Sequence, residues 1–148
     1  QLLGVYDKSL IIPFAESLKK LGSTNAWIVH GSDGLDEVTI TGKTYCAQLK
    51  DGKISEFYIH PSDLNIPTAK INDIIGGEPD ENAKEIIALL NGQKSVFRDV
   101  VILNSASALL ATGNASNLEE AATKSIESID NGQALEKLNM LIKITNNS

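Results

Sequence analysis

Few residues in this chain have the types and spacing that chemistry needs. The densest group is Asp33-Gly34-Leu35-Asp36-Glu37, three carboxylates within five residues, directly after His30-Gly31-Ser32. Neighbouring carboxylates on a loop suit a hard divalent cation such as magnesium, which takes one or two of them and fills its other positions with water and substrate phosphate. On a straight strand Asp36 and Glu37 would point to opposite faces, whereas on a glycine-containing loop both can reach one ion. The other reading is a solvated acidic turn, with Asp and Gly as turn formers, and spacing alone favours it. No other constellation competes. One cysteine, Cys46, and two distant histidines, His30 and His60, do not make a zinc site. There is no Gly-x-Ser-x-Gly elbow, no phosphate loop ending in Lys-Ser/Thr and no dinucleotide fingerprint.

Composition narrows the classes. The 148 residues suit one domain, and 42% hydrophobic with 22% charged residues is a globular balance. Thirteen basic against nineteen acidic residues give a net charge of −6, and Arg98 is the one arginine. A basic face for nucleic acid is therefore not expected. The longest apolar run, Val100 to Leu103, stops at Asn104, far short of the roughly 20 residues a bilayer requires. A single cysteine fits a reducing cytoplasm. The sequence begins at Gln1, and Met140 is its one methionine, so it reads as a piece of a longer chain.

The acidic loop needs elements to position it. Leu10, Ile11, Phe14, Ala15, Leu18 and Leu21 are spaced as one face of a helix that starts near Pro13, after a short turn at Asp7, and ends at Gly22. Ala26 to His30 reads as a buried strand that delivers the chain to the loop. Val38-Thr39-Ile40 resumes strand character. Thr44–Leu49 and Ile54–His60 form a hairpin about Asp51-Gly52, completing a β-meander. Ser62 to Gly77 is a connector, and helices follow to the end. The first begins at Asp80 with Ala83, Ile86, Ile87 and Leu90 inward. Arg98–Thr112 is apolar on most sides and central. Asn117 and Glu120 form a capping box for a third, with Ile126 and Ile129 inward. A last helix carries Leu135, Leu138, Leu141 and Ile142, and Asn146-Asn147-Ser148 is a frayed end.

Single residues follow from these placements. His30 is expected to cap its strand, with orientation of a loop carboxylate as the alternative, and His60 to be structural. Asp33 reads as a turn residue, Trp27 as core and Cys46 as a small packing residue. Arg98 reads as a local salt bridge to Asp99 or a phosphate clamp. Asn104, inside an apolar helix, must find a hydrogen-bond partner, expected in the backbone of a neighbouring segment.

Long motifs then occur in order: Gln1-Leu2-Leu3-Gly4-Val5-Tyr6-Asp7, His30 to Glu37, Gly76-Gly77-Glu78-Pro79-Asp80-Glu81-Asn82-Ala83, Arg98 to Asn104, and Ile129-Asp130-Asn131-Gly132-Gln133-Ala134. Together they resemble the C-terminal part of the anthranilate phosphoribosyltransferase family, with Glu78 where that family commonly has Asp. The resemblance implies an α/β fold, a mixed sheet with packed helices. It also implies that residues 1–148 form a single domain, the C-terminal part of the large catalytic domain shared with nucleoside phosphorylases.

The activity it implies is transfer of a phosphoribosyl group from phosphoribosyl pyrophosphate to anthranilate, a step of tryptophan biosynthesis in the cytoplasm. The implied cofactor is magnesium, held by Asp36 and Glu37. The amine of anthranilate is the nucleophile, so no protein nucleophile is needed. The family's pyrophosphate loop, its anthranilate contacts and the helical domain that makes its homodimer lie upstream of Gln1. The 148 residues alone are thus expected to be inactive, and to be monomeric or weakly associating. Two alternatives remain: a phosphoribosyltransferase-fold protein with another substrate or a nucleic-acid role, and a module with no activity.

Overall fold

The computed structural model describes residues 1–146. Four strands form one mixed sheet in the order β1-β2-β3-β4. They are β1 (Leu2–Gly4), β2 (Asn25–Gly31), β3 (Thr44–Lys50) and β4 (Lys53–Ile59). β1 runs parallel to β2, while β2, β3 and β4 are successively antiparallel. Of the expected meander, β2 and the β3–β4 hairpin form, and the segment 38–40 does not join it as a strand. The tight turn of the hairpin forms because Asp51 and Gly52 both take positive φ, 50° and 73°, the twist a two-residue hairpin needs. β1 was not foreseen, since three residues carry too little periodicity to register. Its pairing extends through Trp27 N–H to Gln1 O (2.8 Å) and Val5 N–H to Val29 O (2.9 Å).

Five α-helices occur among the described residues: α1 (Ile11–Lys20), α2 (Pro79–Leu90), α3 (Val96–Ala111), α4 (Leu118–Asp130) and α5 (Gln133–Asn146). A single 3-10 turn, Lys8–Leu10, capped by the Asp7 side chain, leads into α1. Pro13 falls in the first turn of α1, where N–H groups lack helical partners and a missing one costs nothing. Asn146, expected in a frayed end, is the last residue of α5, and the expected fraying of Asn147 and Ser148 lies outside the described residues.

β2 is buried on both faces, which is why it reads as an uninterrupted apolar run. Ala26 and Ile28 face α1, in a cluster with Val5, Ile11, Ala15, Ala47 and Leu49. Trp27 and Val29 face α3, in a cluster with Val38, Ile40, Cys46, Ile59 and Leu103. The Trp27 and Phe57 rings meet edge to face at 4.8 Å. Behind α3 lies a third cluster of Leu89, Ile102, Ala106, Ala121, Ala122 and Ile129. The result is α1, then the sheet, then α3, with the other helices behind α3. This is an α/β architecture with a mixed sheet and packed helices. Among the described residues no helix is long and apolar enough to cross a membrane.

Three expectations are corrected, and α5 adds a finding on which the sequence was silent. Val38-Thr39-Ile40 is not a strand but a buried irregular segment, because side chains rather than a neighbouring strand take its backbone groups. An apolar-polar-apolar triplet occurs in both states, so sequence pattern does not separate them. In α2 Leu89 is buried and Leu90 packs inward as expected, but Ala83 is exposed and Ile86 and Ile87 are each 41% exposed. α5 buries none of its described side chains, and Leu141 and Ile142 lie on the surface. Arg98 does not pair with Asp99. Its guanidinium, 1% exposed, donates to Asp130 Oδ1 at 2.6 Å and ties the start of α3 to the end of α4. The Asp99 carboxyl is raised by its own burial, against the pull of Arg98 and Lys94.

The Asn117 cap also differs in detail. Asn117 Oδ1 accepts from Glu120 N–H at 2.8 Å, but the Glu120 carboxylate turns back to the N–H and hydroxyl of Ser116.

Candidate functional site

Parallel β1 and β2 point their carboxyl ends the same way, with Gly4 opposite Val29 and β2 running on to Gly31. In α/β sheets ligands bind at such ends. His30 fastens the two strands there, its Nδ1–H donating to Val5 O at 2.9 Å, so the structural reading of this histidine has a definite partner. His60 is likewise structural, capping the short turn Pro61–Leu64.

From Gly31 the chain leaves β2, runs over the end of β1 and returns to β3 at Thr44. The close approach is at Gly4. A Cβ there would sit 1.4 Å from the Asp36 carbonyl oxygen, so only glycine lets the loop lie against β1. The Gly31 N–H reaches Leu35 O and Ser32 N–H reaches Lys43 O, both at 2.8 Å, closing the loop at its neck.

Asp33 organises the interior of this loop. One carboxylate oxygen accepts from Leu35 N–H at 3.1 Å. The other accepts from the hydroxyls of Thr39 and Thr41 at 2.5 and 2.6 Å. Partial burial works to raise this carboxyl, and the hydrogen bonds from Thr39, Thr41 and Leu35 outweigh it, so it stays ionised to below the usual aspartate range. Asp33 is a turn residue, as expected from its place before Gly34, but its reach to Thr39 and Thr41 was invisible in sequence. On the far side of the loop, Asn104 of α3 bonds to the backbone of Val38, as its place in an apolar helix required.

Asp36 and Glu37 stand between these two anchors. Both are exposed, and neither carboxylate has a hydrogen-bond or ion-pair partner among the described residues. There, too, no three His, Cys, Asp or Glu side chains converge. The loop thus offers two free carboxylates and no closed cage, a donor set that fits magnesium with its remaining positions left to water and phosphate. Cys46 is elsewhere, fully buried in the sheet, its thiol pushed up to about 12 by desolvation, and it takes no part. Gly4, Thr39 and Thr41 are the residues of this region that sequence reasoning missed. Their signal is a contact between distant positions, not a spacing.

This arrangement is that of the glycosyl transferase family: residues 1–135 match the family described as "Glycosyl transferase family, a/b domain", and the chain belongs to it. Within that class, an anthranilate phosphoribosyltransferase of Parvibaculum lavamentivorans is 47% identical over 146 residues, covering 99% of this chain and 43% of its own. An anthranilate phosphoribosyltransferase of Saccharomyces cerevisiae, solved in complex with PRPP and Mg, superposes with a TM-score of 0.90 at 27% identity, over 99% of this chain and 43% of that one. The same yeast enzyme with 4-fluoroanthranilate gives 0.89 at 28% identity, with the same coverage. The chain therefore spans less than half the length of the relatives it matches.

Proposed function

We propose that these residues serve the transfer of a phosphoribosyl group from phosphoribosyl pyrophosphate to anthranilate, the tryptophan-pathway step, with release of pyrophosphate. The observation that carries this reading is the pair of partnerless carboxylates, Asp36 and Glu37, over the carboxyl ends of β1 and β2. It is supported by the 47% identity to an anthranilate phosphoribosyltransferase.

In this reading Asp36 and Glu37 hold magnesium, which when bound offsets the negative charge that collects on pyrophosphate as the ribosyl bond breaks. The residues of this chain bind and orient. Gly4 lets the loop lie close to β1. Asp33 keeps its own carboxylate occupied with Thr39 and Thr41, so it does not compete for the ion. The nucleophile is the substrate amine. No protein side chain is asked to attack, in keeping with the missing triad. We place residues 1–148 as one domain, the C-terminal part of a larger catalytic domain. The enzyme is placed in the cytoplasm as a homodimer whose interface lies in other residues. The 148 residues alone are then inactive, because positioning both substrates supplies much of the rate.

The test is Asp36→Asn and Glu37→Gln in a full-length enzyme carrying these residues. Each is expected to raise the magnesium needed for half-maximal rate and to lower turnover at least roughly tenfold. Wild-type rate and wild-type magnesium dependence in both variants would overturn the assignment.

A further inference from the structure

We infer that Asn104 is a positioning residue for the Asp36–Glu37 pair, serving from α3 as the pairing partner that the loop backbone lacks. This rests on the metal-ligand reading above. Asn104 lies in the middle of α3, after the apolar run Val100–Leu103. An amide at that place lowers helix propensity and must be desolvated, so its hydrogen bonds have to compensate. Two of the three fall on one residue of the loop. The side-chain oxygen accepts from Val38 N–H at 3.0 Å, and the side-chain nitrogen donates to Val38 O at 2.8 Å. The second N–H of the amide goes to Val100 O, at 3.1 Å, on its own helix.

The two bonds to Val38 form a closed ring, the same donor-and-acceptor exchange that one strand residue offers its antiparallel neighbour. Val38 N–H belongs to the peptide unit that joins it to Glu37, so fixing it fixes the plane from which Glu37 departs. On the other side, Asp33 holds Leu35 N–H, one residue before Asp36. Beyond Val38, Thr39 N–H donates to Thr44 Oγ1 at 2.9 Å. The two candidate ligands are therefore the short free span between anchored residues 35 and 38. Their carboxylates are exposed, while the backbone that carries them is held from the core. This matters for a site that supplies only two protein donors. With so few, the geometry presented to the ion is set by the backbone and not by a surrounding cage.

Such supporting residues change metal affinity without touching the metal, by roughly 10- to 100-fold in known sites. The experiment uses the full-length enzyme with Mn2+ as the probe, followed by electron paramagnetic resonance in the presence of pyrophosphate. Asn104→Leu keeps the approximate size and removes both bonds to Val38. It is expected to weaken Mn2+ binding roughly tenfold, to raise the magnesium requirement by a similar factor, and to leave the KM for anthranilate unchanged. Asn104→Asp keeps the acceptor for Val38 N–H but sets a carboxylate oxygen against Val38 O and Val100 O, so a shift in the same direction and at least as large is expected.

If Asn104→Leu does not fold, Asn104→Asp decides. Wild-type Mn2+ binding in a folded Asn104 variant, with weakened binding in Asp36→Asn, would overturn the positioning role and leave the metal assignment standing. Wild-type binding in Asp36→Asn and Glu37→Gln as well would mean that the metal reading itself fails. Equal losses in Mn2+ affinity and anthranilate KM, or failure of both Asn104 variants to fold, would make Asn104 a stability residue only and overturn the inference.

Discussion

Residues 38–40 belong to no helix or strand, yet Val38, Thr39 and Ile40 are 0%, 2% and 1% exposed. α5 is fourteen residues of regular helix, and none of its described side chains is buried. The two regions separate properties that are often taken together. Hydrogen bonding within a helix is satisfied locally, so α5 can be regular while its apolar residues Leu141, Ile142 and Ile144 stay on the surface. A buried irregular segment has no such local solution. Its polar groups need partners from elsewhere: Asn104 takes Val38 N–H and C=O, Thr44 the Thr39 N–H, Asp33 the Thr39 hydroxyl, and the Ala69 N–H the Ile40 C=O. The constraint on a segment is thus measured by where its partners come from, and not by how regular its backbone is.

The sharpest way to break this contrast is to trim one apolar side chain in each region. Ile40→Ala should lower unfolding free energy by about 2–5 kcal/mol, the usual loss for a fully buried branched side chain. Denaturant titration of the full-length enzyme would measure it, and a loss under 1 kcal/mol would mean the segment is not packed as described. Gly4→Ala acts on the same loop from the other side. Its new Cβ cannot coexist with the Asp36 carbonyl, so the loop must shift. A displacement of about 1 Å at a site of this kind costs roughly 100-fold. We therefore expect kcat/KM to fall by about that factor, with some loss of thermal stability as the anchors at Leu35 and Val38 are strained.

A finer test uses pH. The Asp33 carboxyl is lower in the folded chain than in the unfolded one, because the hydrogen bonds from Thr39, Thr41 and Leu35 outweigh its burial. Its contribution is complete above the ordinary aspartate value of about 3.9 and is lost as pH falls through the folded value beneath it. The stability gap between wild type and Asp33→Asn should therefore be flat from pH 7 to 5 and should close below about pH 4. A gap that showed no dependence on pH anywhere below pH 4 would show that the Thr hydroxyls do not depend on the charged form. The smallest effect is expected on α5, where Leu141→Ala should change stability by no more than about 0.5 kcal/mol. A cost above about 1.5 kcal/mol would mean that α5 is covered by other parts of the full-length protein.

The same contrast explains what could be read from sequence. The buried strand β2, the hairpin at Asp51-Gly52 and helix α3 follow from periodicity and turn chemistry within a few residues. So does the demand that Asn104 find a backbone partner, since an amide in an apolar helix must be satisfied. Which backbone it finds was not legible, because Val38 is 66 positions away. Arg98 shows the same limit: an adjacent Asp99 was the nearest candidate, and the partner is Asp130, 32 residues on. α2 failed for a different reason. Ile86 and Ile87 have helical apolar spacing, but spacing gives a face and not the neighbour that would cover it. At the candidate site the acidic loop itself was visible, while the devices that hold it, Gly4 beneath and Thr39 and Thr41 within, depend on contacts that no local window contains.

Cys46 has no part in the chemistry, yet its situation gives the sheet a clock. It lies at the centre of β3, paired with Val29 on one side and Phe57 on the other, with no exposed surface. Burial raises its thiol to about 12, so the reactive thiolate is scarce as long as the strands stay together. An alkylating reagent can reach this sulfur only after β3 has parted from a neighbour or α3 has lifted away. The rate at which Cys46 becomes labelled therefore counts openings of the central meander, one sulfur reporting on the breathing of the whole layer beneath the acidic loop.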